Sequence, residues 1–260
     1  MLLYFKGCTA NEKLTSIAES TRKLLDLFNV DYIELDEESC CGSVLLRTGF
    51  KNDGICQMKN TLDNLNNILN NNSIDCILTS CAGCYKTLKY DYKKILGVEL
   101  KVIHISQLLD NLLNSNNIPI KKESDITVTY HDPCHLGRHS GEFEAPRNVI
   151  SKLSNLIEMR NTKEQSRCCG SGGGVKSAYG DLANSIAKIR VDEAEETGAN
   201  LLISSCPFCK LNLGQNSDNL EVKDLSEFVL KVITSDSFLN NNPDFLNEIS
   251  NNNLKEITNE

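Results

Sequence analysis

Apolar positions along the chain gather into short runs, separated by longer stretches whose apolar residues recur at helical spacing. In the first half the runs are LLYF at 2–5, YIEL at 32–35, CILT at 76–79 and KVIHI at 101–105. Helical stretches lie between them, near 12–28, 52–69 and 86–96. The second half repeats the scheme with ITVTYH at 126–131, LIEM at 156–159, NLLIS at 200–204 and LEVK at 220–223. Its clearest helix is KSAYGDLANSIAKIRVDEAEETG at 176–198, where Gly198 makes a natural stop. Strand alternating with helix predicts an α/β fold with a mainly parallel sheet and helical cover, built twice.

The cysteines show the same duplication. Cys8, Cys40, Cys41, Cys81 and Cys84 recur roughly 126 residues later as Cys134, Cys168, Cys169, Cys206 and Cys209. Their surroundings repeat too: DCILTSCAGCYK from Asp75 aligns with NLLISSCPFCKL from Asn200, and VIHISQLLDNLL from Val102 with VKDLSEFVLKVI from Val222. The expected organisation is a first cysteine-rich lobe over 1–115 and a second over 125–235, joined by the polar stretch NSNNIPIKKESD at 114–125. The Asn-rich remainder, 236–260, reads as a polar tail that is solvated or frayed. Cys8, Cys81, Cys134 and Cys206 each follow a strand. Ligands bind at the carboxyl edge of parallel sheets, so the five cysteines of a lobe can converge there.

Composition narrows the class. A 40% hydrophobic and 24% charged chain is an ordinary globular one. Its longest apolar runs fall far short of the roughly 20 residues of a membrane helix, and MLLYFKGC is too short for a signal peptide, so a cytoplasmic protein without membrane insertion is expected. A net charge of −8 offers no footprint for nucleic acid. Twelve cysteines in a reducing compartment are not a disulfide scaffold; they are buried thiols or metal ligands.

Thiolates select zinc or iron–sulfur clusters. The CxxC pairs CAGC and CPFC are ambiguous taken alone. A structural zinc site wants four ligands, commonly two close pairs. Each half here offers five, including an adjacent pair that suits several irons better than one tetrahedral ion, although zinc in either half stays open. Ferredoxin spacing is absent, so a cluster here would be of an unusual kind. Outside the repeat, Cys76 belongs to an apolar strand and Cys56 to a helix face.

The segments SCCGSVLLRTG, YHDPCHLGRHSG, CCGSGGGV and SSCPFC resemble the duplicated cysteine-rich CCG domain of the heterodisulfide reductase family, nearest the catalytic subunit of its membrane-linked type, over about 1–233. The resemblance implies two noncubane [4Fe-4S] clusters facing a cleft between the lobes. Cys8, Cys40, Cys41, Cys81 and Cys84 would ligate one, and Cys134, Cys168, Cys169, Cys206 and Cys209 the other. It implies reduction of a small-molecule disulfide, the heterodisulfide of coenzyme M and coenzyme B, in two one-electron steps. The ferredoxin-like domain that feeds electrons in such reductases is missing, so a partner subunit with ferredoxin-like [4Fe-4S] clusters or a cytochrome is expected. The same domain occurs in iron–sulfur subunits of glycolate, lactate and glycerol-3-phosphate dehydrogenases and of thiol:fumarate reductase. An electron-transfer subunit of such a complex is the alternative, and a zinc-stabilised scaffold a third.

Three of four histidines, His131, His135 and His139, crowd around Cys134. His131 and His135 either donate hydrogen bonds to cluster sulfur and protons to a product thiolate, or cap the strand end. His104 reads as packed in a strand. GSGGGV at 170–175 follows a cysteine pair and no strand, so it suits close backbone approach to a ligand better than dinucleotide binding. Arg47, Arg138 and Lys176 follow the cysteine motifs closely enough to meet an anionic substrate.

Overall fold

A computed structural model describes residues 1–69, 73–114 and 120–250. The first half runs β1 (Leu2–Phe5), α1 (Cys8–Glu12), α2 (Thr15–Leu27), β2 (Tyr32–Glu34), α3 (Ser43–Arg47), α4 (Lys51–Leu69), β3 (Cys76–Thr79), α5 (Ala82–Lys86), α6 (Tyr92–Leu96), β4 (Val102–His104) and α7 (Ile105–Asn114). The second runs β5 (Glu123–His131), α8 (Glu144–Leu153), β6 (Ser154–Leu156), α9 (Val175–Ala178), α10 (Gly180–Glu195), β7 (Leu201–Ser204), α11 (Pro207–Gln215), β8 (Glu221–Asp224), α12 (Leu225–Ile233), α13 (Asp236–Asn241) and α14 (Phe245–Ser250).

Each half forms one four-stranded parallel sheet, and the strand orders, β2-β1-β3-β4 and β6-β5-β7-β8, are the same. The α/β expectation of two duplicated parallel-sheet lobes therefore holds. β1, β3 and β7 are buried along their whole length, which is why they read as continuous apolar runs rather than as alternating ones. Successive residues divide between two cores. Leu2, Tyr4, Val128, Tyr130 and Ile203 face one that also takes in α2, α7, α8 and α12, whereas Leu3, Phe5, Ile77 and Leu202 face one with α4, α6, α10 and α11. Both cores draw on both halves of the chain. In the first, α7 packs on α8 and α12 on α2, so each lobe's last helix covers the first long helix of the other.

Several elements differ from the sequence reading. The stretch expected to be helical near 12–28 breaks at Lys13 and Leu14 into α1 and α2. The one near 86–96 continues from α5 through a π-helical turn, Thr87–Asp91, into α6. β6 pairs at Ser154–Leu156, earlier than expected, because α8 enters it without a loop and Ser154 Oγ donates back to the Ile150 carbonyl. β5 begins at Glu123, inside the polar stretch taken for a linker, while 115–119 lies outside the described residues.

The solvated tail is corrected over 236–250. Phe238, Phe245 and Ile249 are buried in the first core, with Phe245 edge-on to Phe28 and Phe238. Three apolar residues spaced through a polar segment suffice to dock it. Residues 251–260 lie outside the described residues. Among the described residues no helix is long and apolar enough to cross a membrane.

Candidate metal centre

Strand ends deliver the cysteines. Cys8 opens α1 three residues past β1, Cys81 sits between β3 and α5, and Cys84 lies on α5. In the second half Cys134 follows β5, Cys206 sits between β7 and α11, and Cys209 lies on α11. The adjacent pairs, Cys40 with Cys41 and Cys168 with Cys169, arrive on loops. All ten line a single cavity of about 160 Å³ to which both lobes contribute. In the first set Cys41 Sγ is 3.4 Å from Cys84 Sγ, and Cys8 Sγ is 3.9 Å from Cys40 Sγ. Cys81 and Cys206 shift each other's acidity, Cys81 up and Cys206 down, and both line the same cavity, so the two sets approach across the lobes. Cys76 is buried and Cys56 exposed, both away from this lining, as expected.

The glycine after each pair is what lets the loops turn. Gly42 has φ +86° and Gly170 φ +81°, left-handed values that cost a side-chain-bearing residue. A Cβ on Gly170 would also lie 2.4 Å from the Ala183 carbonyl oxygen. Further contacts pin the loops. Gln57 Nε2 and Thr61 Oγ1 donate to the Cys40 carbonyl at 3.0 and 2.8 Å, and Asn212 Nδ2 donates to the Cys169 carbonyl at 2.6 Å. The Gly170 amide donates to Cys168 Sγ at 3.3 Å.

Thiol electrostatics are divided. Hydrogen bonds from Cys40 and Cys84 hold Cys41 well below the usual thiol range, those from Cys168 and Cys209 do the same for Cys169, and those from Cys209 and Cys81 for Cys206. Their partners go the other way: Cys8, Cys84, Cys168 and Cys209 are pushed up, chiefly by donating to neighbouring sulfurs. The protein thus crowds sulfurs that share protons, and a bound cation would take the place of those protons. Five soft donors per set fit an iron–sulfur group. The cavity also exceeds a single ion, since a water-sized site needs only about 10–15 Å³.

The histidines hold three different positions. Arg47, from the first lobe, donates from Nε to His135 Nε2 of the second at 2.7 Å and from Nη2 to Asp91 at 2.9 Å, and Lys86 also pairs with Asp91. With Nε2 accepting, the ring proton of His135 lies on Nδ1, and a Cβ on Gly83, between Cys81 and Cys84, would be 3.9 Å from that nitrogen. Burial first and the Arg47 cation second depress His135 to about 4. His131 is buried, takes a hydrogen bond on Nδ1 from Arg190 Nε at 3.1 Å, and stands with a ring nitrogen within 4.8 Å of the Cys169 and Cys209 sulfurs. His139 lies against His135 with ring centroids 5.4 Å apart. His104 is packed as expected, edge-on to Tyr85 and depressed to about 4 by burial.

Of the three basic residues placed near an anionic substrate by sequence, Arg47 lines the cavity. Arg138 instead donates to the Ser166 carbonyl at 2.6 Å, and Lys176 is turned to Asn212. Ser171, Gly172, Gly173 and Gly174 of the glycine run line the cavity, and a Cβ on Gly174 would come within 3.0 Å of Thr48 Cγ2 of the other lobe. Sequence reasoning missed Glu38, whose carboxylate accepts from the amides of Lys6 and Gly7 at 2.7 Å each and is raised to about 7, mainly by burial. Its position two residues before the cysteine pair was the one available signal. Arg190, fully buried beside His131, was missed as one charge among many on an amphipathic helix.

Comparison with known proteins covers most of the chain. A family model described as Cysteine-rich domain, CCG, matches residues 2–89 and again 128–214. The chain is 41% identical over 241 residues to a subunit of the dihydromethanophenazine:CoB–CoM heterodisulfide reductase of Methanosarcina acetivorans, covering 89% of this chain and 59% of that protein. It is 33% identical to a subunit of the fumarate reductase (CoM/CoB) of Methanothermobacter marburgensis, covering 86% and 43% respectively. It is 28% identical to EtfAB:quinone oxidoreductase of Syntrophomonas wolfei, covering 89% and 34%. The chain therefore spans about three-fifths or less of the length of these relatives.

Proposed function

This chain belongs to the cysteine-rich CCG domain family, and from that premise we propose that it is an iron–sulfur oxidoreductase subunit that reduces a small-molecule disulfide in the cleft between its lobes. The substrate we assign is the heterodisulfide of coenzyme M and coenzyme B, consistent with 41% identity to a protein named for that reaction. Cys8, Cys40, Cys41, Cys81 and Cys84 would hold one noncubane [4Fe-4S] cluster, and Cys134, Cys168, Cys169, Cys206 and Cys209 a second. Bound there, the clusters would supply one electron to each sulfur of the disulfide and an iron that accepts the leaving thiolate. The observation that carries the reading is that all ten cysteines of both sets line one cavity.

The chain's other residues then have definite work. Arg47 is the charged side chain in the lining among the described residues, and it attracts an anionic substrate toward the sulfurs. His135, depressed to about 4 by burial and by Arg47 and accepting from Arg47 on Nε2, is neutral at physiological pH and brings no extra proton to a product thiolate. Electrons come from a partner subunit carrying ferredoxin-like clusters or a cytochrome.

A second reading, an electron-transfer subunit of a fumarate reductase or quinone oxidoreductase type of complex, is favoured by the likeness to the fumarate reductase (CoM/CoB) subunit and to EtfAB:quinone oxidoreductase. Iron, acid-labile sulfide and zinc content of anaerobically purified protein, with paramagnetic resonance after oxidation in coenzyme M, tests both. About eight irons and a signal that requires the thiol are expected. Eight irons with no response to thiol would favour the second reading, and stoichiometric zinc without iron would sink both.

A further inference from the structure

The two cysteine sets are related by the repeat, but their surroundings are not. Where the first lobe has the fully buried Phe5 at the end of β1, the second has His131 at the end of β5. Phe5 offers no hydrogen bond. His131 offers one, and its direction is set by Arg190. A guanidinium only donates, so the bond from Arg190 Nε makes His131 Nδ1 the acceptor and leaves the ring proton on Nε2. With Nδ1 spent on Arg190, Nε2–H is the donor left for the sulfurs of Cys169 and Cys209, which lie within 4.8 Å of a ring nitrogen, and His131 lowers the Cys169 thiol.

Arg190 is fixed as firmly as a side chain can be. It is wholly buried, and beyond His131 it donates to the Asn161 carbonyl at 2.8 Å, to Glu193 at 2.8 Å and to Ser166 Oγ at 3.1 Å. Glu193 in turn accepts from the Asn161 amide and side chain at 2.6 Å each. The cation therefore lies between the histidine and its counter-ion, and the ion pair turns its positive end toward the ring and the sulfurs. In the first set the position of His131 is taken by Phe5, and a neutral side-chain hydroxyl, that of Thr9, meets Cys8 instead. Backbone donors are matched at the first cysteine of each pair, Gly42 to Cys40 and Gly170 to Cys168.

A hydrogen bond to cluster-ligating sulfur withdraws electron density from it, and a nearby positive charge favours an added electron, so both raise a reduction potential. We propose that Arg190 and His131 form a fixed donor couple that makes the second cysteine set the electron-accepting end of the molecule, the group it holds being reduced before that of the first set. This rests on the reading that both sets hold iron–sulfur groups. With such groups bound, the second set would take the first electron from the donor and the first set the next. His131 is the residue beside the ligating sulfurs, with a ring nitrogen within 4.8 Å of them, and Arg190 is a positioning residue acting through it.

The test is a redox titration with dithionite of the full chain, purified anaerobically and followed by paramagnetic resonance, alongside iron and sulfide content. Wild type is expected to show two one-electron steps. His131→Phe, which installs the first lobe's residue, and Arg190→Lys should move the upper step alone, by about tenfold in its equilibrium constant, or about 59 mV for one electron. His131→Gln, which keeps a donor, should restore most of the difference. Equal movement of both steps, or none, with eight irons still bound overturns the proposal. Should the buried variants fail to fold, wild type labelled with nitrogen-15 histidine decides it, because a histidine nitrogen coupling should appear in one paramagnetic step and not the other. Coupling in neither or in both steps overturns the couple. Protein that binds no iron overturns the underlying reading instead, and the content measurement tells the two failures apart.

Discussion

Arg47 bridges the lobes, donating to His135 on one side and to Asp91 on the other while lining the cavity. An Arg held by a carboxylate and an imidazole is pre-oriented, so little side-chain entropy is lost when its remaining N–H groups meet an anion. Charge-assisted hydrogen bonds contribute about 1.5–3 kcal/mol. Arg47→Met should therefore weaken binding of an anionic disulfide by roughly ten- to a hundredfold while leaving iron content unchanged. Arg47→Lys should recover part of that loss. Titration calorimetry with coenzyme M disulfide reads this directly, and unchanged affinity in the Met variant would remove Arg47 from substrate recognition. Arg138 and Lys176, engaged elsewhere, should tolerate replacement by alanine with no more than about a twofold effect on the same measurement.

Elements act through their ends, and two ends here make contrasting cases. Gly170 combines a left-handed φ with a carbonyl 2.4 Å from where a Cβ would go, whereas Gly172 has open space around it. Gly170→Ala should cost more than about 2 kcal/mol and lose the second set's metal first, because the loop that carries Cys168 and Cys169 must shift. Gly172→Ala should stay within about 0.5 kcal/mol. Denaturant unfolding with metal analysis compares them.

The other end is Asp224, which caps α12 by accepting from the Ser226 amide at 2.9 Å. It is fully buried, its Oδ2 has no hydrogen-bond partner among the described residues, and burial raises it from 3.8 to about 8. The folded state therefore holds a proton that the unfolded state releases. This contribution to stability is complete below about pH 4 and is lost as pH rises toward 8. Asp224→Asn keeps the cap without the titration, so its melting temperature relative to wild type should rise between pH 5 and pH 9. A difference that stays flat with pH would show that Asp224 is charged throughout.

At the scale of the whole molecule, the halves share both apolar cores, and α13 and α14 close the first of them. One cooperative thermal transition is expected, with no separate melting of the lobes. Phe245→Ala, in a segment that reads as polar, should cost about 3 kcal/mol or more and lower the melting temperature by roughly 6–12 °C. Calorimetry checks both, and an unchanged midpoint would mean that the terminal helices do not hold the core. The shared core also bears on chemistry. Burying α2 against α12 and α7 against α8 holds the two lobes, and with them the cavity that both cysteine sets line, in one arrangement.

The pattern of the chain determined what is local or periodic: parallel α/β lobes, their duplication, and ten cysteines in two ordered sets, each tied to a strand end or a loop. Those features follow from side-chain spacing and from turn chemistry such as the glycine after each cysteine pair, which a linear sequence carries in full. Only the tertiary structure decided which charges meet. That Arg47 reaches His135 across 88 residues, that Arg190 lies behind His131 across 59, and that Lys176 is diverted to Asn212 depend on how helices from distant parts of the chain pack. The same holds for the docked terminal helices. Phe238, Phe245 and Ile249 are too sparse to announce a core from sequence, and they join one because the packed elements bring Phe245 edge-on to Phe28 within the first core. Periodicity reports which face of an element is apolar; what that face meets is settled only when the elements come together.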